Sequence, residues 1–148
     1  MRAVIQVVDQ ARVSIENEVV GSIGRGFLIY LGVSPTDTSA EVERLWTKIR
    51  QLRIFPDTQG KTNLNIDQAD GNVLLISQFT LYASLRRGHR PSFTEAAPPE
   101  MARALYEEMI VRARQDFPNL QTGRFGADMK VSSINDGPFT LWLDTDLL

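Results

Sequence analysis

Ser77-Gln78-Phe79-Thr80 sets two hydroxyls and an amide at the end of the apolar run Val73-Leu74-Leu75-Ile76. A stretch this rich in apolar and β-branched residues reads as a buried strand, and polar side chains on it need a polar partner. Groups of this kind cannot act as acid or base. They can stabilise an oxyanion, together with backbone N–H groups, at about 2.7–4 kcal/mol per donor, while water or the substrate supplies the nucleophile. Thr80 is a candidate nucleophile for which the sequence offers no base. The plain alternative is that Ser77 and Thr80 bond neighbouring backbone. A second polar segment far down the chain, Asn135-Asp136-Gly137-Pro138-Phe139-Thr140, is paired here with the first. Its Gly137-Pro138 reads either as an ordinary trans turn or as a cis pair whose two carbonyl oxygens point the same way and sense stereochemistry.

Other chemistries lack their residues. The only histidine, His89, stands in a loop among arginines, which leaves a Ser-His-Asp triad without its base. There is no cysteine, so disulfides, thiolate metal sites and a cysteine nucleophile are excluded, and neither metal nor cofactor is expected. Neither phosphate-cradling glycine motif follows a strand. Arg86, Arg87 and Arg90 make a compact basic loop beside the first polar segment. Such a loop is either a solvated charge run or a phosphate-contacting patch for RNA.

These residues need a scaffold. A chain of 148 residues fits one domain, 1–148, and its 43% hydrophobic and 23% charged composition is that of a globular protein. A net charge of −2 argues against non-specific nucleic-acid binding but leaves room for a local basic site. No run approaches the about 20 apolar residues of a membrane span, and the start of the chain is too short in apolar residues for a secretory signal. A cytoplasmic protein is expected.

Short β-branched runs at 3–8, 11–15, 18–23 and 27–33 predict an antiparallel meander, with Asp9-Gln10, Asn17 and Gly24-Arg25-Gly26 between them. Val42, Leu45, Trp46, Ile49 and Leu52 fall at helical spacing behind the capping box Thr38-x-x-Glu41, predicting a helix over 38–52. Arg53–Pro56 and Asn63–Ile66 read as short strands and 72–83 as one strand carrying the first polar segment. Pro98-Pro99-Glu100 opens a second helix with the stripe Met101, Leu105, Met109, Ala113, ended by Pro118. Strands are expected at 120–125, 128–134 and 139–143, with a turn at Asn135–Pro138. The fold class is α/β: mixed, meandering sheets packed in layers with two main helices.

The motifs Ser77-Gln78-Phe79-Thr80-Leu81-Tyr82-Ala83, Arg90-Pro91-Ser92-Phe93, Thr122-Gly123-x-Phe125-Gly126-Ala127-Asp128-Met129 and Asn135-Asp136-Gly137-Pro138-x-Thr140, in this order, resemble the D-aminoacyl-tRNA deacylases. The resemblance implies hydrolysis of the ester joining a D-amino acid, or glycine mischarged on tRNA(Ala), to the tRNA 3′ end, in a cytoplasmic homodimer with its site at the subunit interface. It implies that Ser77, Gln78, Phe79 and Thr80 form the pocket, with a backbone N–H near Phe79 or Thr80 on the oxyanion. Gly137 and Pro138, with a cis bond, would enter from the other subunit and, with Met129, exclude L side chains. The vicinal hydroxyl of the terminal ribose would assist water. Four positions depart from the family pattern: Phe139 stands where valine is frequent, Thr62 and Asn65 where methionine and serine are common, and Ser84 where aspartate is frequent. Competing readings are an RNA-binding module without catalysis, a structural dimerisation domain, and a hydrolase of other small esters.

Overall fold

The computed structural model describes residues 1–148. Three strands open the chain: β1 (Arg2–Ile15), β2 (Glu18–Ile23) and β3 (Gly26–Gly32). Glu16 and Asn17, both at positive φ (51° and 68°), form the two-residue turn between β1 and β2, a geometry that matches strand twist. Then come α1 (Ser39–Gln51), the hairpin β4 (Phe55–Pro56) with β5 (Thr62–Leu64), and β6 (Asn72–Ser77). A 3-10 turn (Phe79–Tyr82), α2 (Pro99–Asp116), β7 (Gln121–Thr122) and β8 (Lys130–Asp144) complete the main elements. No helix is long and apolar enough to cross a membrane.

The main sheet runs β2-β1-β3-β6-β7, with β8 along β1. β3, β6 and β7 are parallel, because α1 and α2 serve as the two crossovers. Both helices therefore lie on one face. α1 buries Val42, Leu45, Trp46 and Ile49 there, and Thr38 caps it in the predicted box with Glu41. α2 buries Leu105, Met109 and Ala113 of the predicted stripe together with Ala102 and Tyr106, while Met101 is only partly buried.

β3 and β6 are buried on both faces, which is why their sequences are nearly continuous in apolar residues. One face, with Phe27, Ile29, Leu31, Val73 and Leu75, meets the helices. The other, with Leu28, Leu74 and Ile76, is covered by Val8, Ala11, Val13 and Ile23, because the far half of β1 and β2 folds back over it. The mixed sheet is nearly closed. β1 changes its buried face at Val7 and Val8, consecutive residues that belong to opposite cores.

Four expectations are corrected. Asp9-Gln10 does not divide two strands: β1 is continuous, and β8 pairs with it on both sides of the bend, where the register shifts. The strand expected over 72–83 stops at Ser77, because its neighbour β3 ends at Gly32 and offers no further ladder. Of the strand expected over 120–125, only Gln121–Thr122 pairs. Finally, Asn135–Pro138 is not a hairpin turn. It is a bulge inside β8, in which Val8 faces Asn135 and Gln6 faces Thr140. The Asn135 amide closes the bulge, donating to the Val7 carbonyl at 2.9 Å and the Phe139 carbonyl at 3.1 Å.

Candidate active site

The end of β6 is fixed before any ligand arrives. Ser77 pairs in register with Leu31, and the Gln78 N–H makes the last bond, 2.7 Å, to the Leu31 carbonyl. The chain then curls over Gly32 into the 3-10 turn. A Cβ at Gly32 would stand 3.0 Å from the Gln78 carbonyl oxygen, 3.1 Å from Leu81 Cβ and 3.2 Å from Tyr82 Cδ2, so any side chain there would press the turn outward by a few tenths of an ångström. Inside it, Leu81 N–H donates to Gln78 O (3.3 Å) and Ala83 N–H to Thr80 O (3.0 Å). The Phe79 and Thr80 N–H groups, at the start of the turn, donate to no group of the chain, as the first amides of a helix must without a cap.

Beside this turn lies a cleft of about 690 Å³. Ser77, Gln78 and Phe79 form one wall and Ile76 and Val131 the sheet side. Phe93, the two prolines at the start of α2 and Phe125 form the apolar remainder. None of its lining side chains is an acid, a base or a histidine. Phe79 and Phe93 meet edge to face at 5.0 Å, and Arg103 of α2 lies over the Phe125 ring at 5.3 Å. Met129 lines the cleft, and Gly123 makes room for it, since a Cβ there would overlap the methionine sulfur. β6 is tied from behind by the buried Tyr106 hydroxyl, which donates to the Leu75 carbonyl at 2.9 Å. Burial pushes that phenol up, so it stays a donor.

Of the expected site residues, Ser77, Gln78, Phe79 and Met129 come together. The Thr80 side chain is not on the cleft wall; its hydroxyl accepts from the Gln78 amide. Arg86, Arg87 and Arg90 sit in an exposed loop with no ion pair in the chain. Reciprocal bonds between Ser84 and Ser92 (2.8 and 2.9 Å) close the base of that loop, next to Phe93. Gly137 and Pro138 are exposed on the β8 bulge, joined by a cis peptide bond, and line no part of this chain's cleft. The two polar segments thus do not meet within one chain. Phe125, Pro98, Pro99 and Val131 were not expected as site residues, and Phe93 only as an RNA contact of the non-catalytic reading; the signal was that Phe93 and Phe125 lie inside the motifs Arg90–Phe93 and Thr122–Met129. Gly32, which the turn packs against, gave no signal at all. No three His, Asp or Glu side chains converge as a metal site.

The architecture and sequence recur in known proteins. The solved structure of the c-Myc DNA unwinding element binding protein superposes with a TM-score of 0.93 at 36% identity, over 98% of this chain and 99% of that one. A probable eukaryotic D-amino acid tRNA deacylase shares the fold at a TM-score of 0.85 and 17% identity, over 96% of this chain and 97% of its own. The D-aminoacyl-tRNA deacylases of Klebsiella pneumoniae (strain 342) and Escherichia coli O1:K1 / APEC are each 52% identical over 143 residues, covering 97% of this chain and 99% of theirs. The family model described as D-Tyr-tRNA(Tyr) deacylase matches residues 4–144, and the chain belongs to that family.

Proposed function

We propose that this protein is a D-aminoacyl-tRNA deacylase: it hydrolyses the ester between a D-amino acid and the terminal ribose of tRNA, in the cytoplasm, through a single domain spanning 1–148. The observation that carries the reading is the cleft itself. Phe79 lines it, the N–H groups of Phe79 and of Thr80 next to it are without an acceptor in the chain, and no lining side chain is ionisable. Such a site suits a reaction in which the protein supplies oxyanion stabilisation and position, while water and the substrate supply the proton chemistry. Water adds to the aminoacyl carbonyl carbon, the carbonyl oxygen takes the negative charge against the amides, and the ester C–O bond breaks. The ribose oxygen leaves with a proton, aided by its vicinal hydroxyl, giving free amino acid and tRNA. Ser77 and Gln78 border the ester; Thr80 acts through Gln78 and is not acylated.

The chiral screen is supplied by a second copy. Gly137 and Pro138 stand outward on a bulge, and β8 pairs with β1 alone, so its other edge is open to a partner strand. From that copy, the carbonyls of Gly137 and Pro138, together with Met129, reject an L side chain; glycine, having none, passes, which makes glycyl-tRNA(Ala) a substrate too. Arg86, Arg87 and Arg90 contact the tRNA phosphates near the 3′ end. The test is release of amino acid from matched D-tyrosyl-tRNA and L-tyrosyl-tRNA by wild type and by a Gly137→Ala/Pro138→Ala variant. Loss of the D-ester alone, with selectivity or activity damaged in the variant, is expected. No turnover of either ester by folded protein would leave an RNA-binding module without catalysis.

A further inference from the structure

The 3-10 turn is seated on Gly32 from below, and a second group grips it from the side. Arg2, the first residue of β1, reaches across the end of the sheet with a guanidinium that does three things at once. Its Nε donates to Asp144 Oδ2 at 2.8 Å, its Nη1 donates to the Leu81 carbonyl at 3.2 Å, and its plane lies 4.4 Å from the centre of the Tyr82 ring. Trp142 closes the other side at 5.9 Å. Leu81 and Tyr82 are the last two residues of the turn whose first residue, Phe79, lines the cleft.

The grip is built to last. Asp144 is only 6% exposed and is itself fixed, since its other oxygen accepts from the Asp146 N–H at 3.1 Å. Burial works against ionising this carboxyl, but the Arg2 hydrogen bond, the Asp146 N–H and the nearby positive charges together outweigh it and hold the group below its ordinary value. Tyr82 is buried as well. A planar fork that bonds two acceptors and stacks on an aromatic face is a task for arginine and not for lysine.

We infer that Arg2 is a positioning residue for the candidate site: by holding the Leu81 carbonyl and the Tyr82 ring it fixes the turn and so the aim of the Phe79 and Thr80 amides. The catalytic consequence rests on the deacylase reading, but the mechanical one does not.

Two measurements separate them. Arg2→Met combined with Asp144→Asn removes the grip without leaving a buried unpaired carboxylate. Hydrogen exchange at the Leu81 and Ala83 amides should quicken about ten-fold while the β1–β3 ladder keeps its protection. In D-tyrosyl-tRNA hydrolysis kcat should fall about 10- to 100-fold, the size expected of a sub-ångström misplacement, with KM little changed. Arg2→Lys keeps the charge, and is the variant to use if the first does not fold; it should show the same pattern in weaker form. Wild-type exchange in the turn, or a lowered melting temperature with unchanged kcat, overturns the proposal. If wild type itself hydrolyses nothing, the deacylase reading has failed, and exchange alone still decides whether Arg2 holds the turn.

Discussion

At the scale of single residues, the site divides into groups that face the cleft and groups that hold them. Thr80 belongs to the second kind, because its hydroxyl is engaged by Gln78 and is off the wall. Removing a true nucleophile costs about a million-fold, so Thr80→Ala losing less than about a hundred-fold, with no acyl adduct trapped on the wild type, is the expected result. An adduct on Thr80 by mass spectrometry would reverse that assignment. Tyr106 is a simpler holder. Tyr106→Phe removes one bond to the Leu75 carbonyl, which still accepts from Gly123 N–H at 3.3 Å. No acceptor is orphaned, so urea unfolding should show a loss of only about 0.5–1.5 kcal/mol.

At the scale of elements, the turn depends on β3 and the two helices depend on each other. Gly32→Ala pushes against Gln78, Leu81 and Tyr82 together, none of which is the loose end of a side chain. Overpacking of this kind costs about 1–3 kcal/mol of stability, and the displaced turn should lower kcat more than it raises KM. α1 and α2 are joined through Asp116, which accepts from Trp46 Nε1 (2.8 Å), Arg50 Nη1 (2.7 Å) and Arg112 Nη1 (2.8 Å). Burial opposes its ionisation, but the Trp46 and Arg112 hydrogen bonds and the two arginine charges prevail and depress its carboxyl below the ordinary value. A depressed carboxylate stabilises the fold above its unfolded value, about 3.9, and loses that contribution as pH falls through the lower folded value. The melting temperature should therefore drop at acid pH, and Asp116→Asn should flatten that part of the curve. These elements were also where the sequence was most and least readable. Periodicity and the Thr38 box located α1 because those signals are local. The strand merger across Asn135–Pro138 and the stop at Ser77 were not readable, since each depends on which neighbour pairs: β8 stays in line because β1 runs beside it, and β6 stops because β3 does. The cleft residues from three of the motifs were readable as a set only through resemblance; Gly32 and Arg2 act through three-dimensional contacts that no spacing announces.

For the whole molecule, the decisive property is that the cleft and the Gly137-Pro138 bulge lie apart on one chain. If two copies complete each other's sites, two separately damaged proteins should repair one another. Subunits carrying Gly32→Ala, mixed and reassociated with subunits carrying Gly137→Ala/Pro138→Ala, form mixed dimers in which one site is intact. In an equal mixture a two-fold assembly then restores about a quarter of the wild-type number of intact sites, read as D-selective hydrolysis above that of either parent alone. Recovery of nothing, or sedimentation of wild type as a 16.6 kDa species at micromolar concentration, would remove the shared site.

A cleft without acids or bases, with free main-chain amides in the adjoining turn, has a bearing on how this gene tolerates change. A main-chain N–H is present in every residue but proline, so side-chain deletion cannot erase it. Alanine scanning across Ser77–Thr80 is accordingly a blunt instrument. The damaging alleles are those that add atoms or take away the hydrogen: alanine at Gly32, and above all proline at Thr80, which deletes a donor outright. Random mutagenesis of this protein should yield inactive alleles that are enriched in gains of bulk and poor in losses of function-bearing side chains.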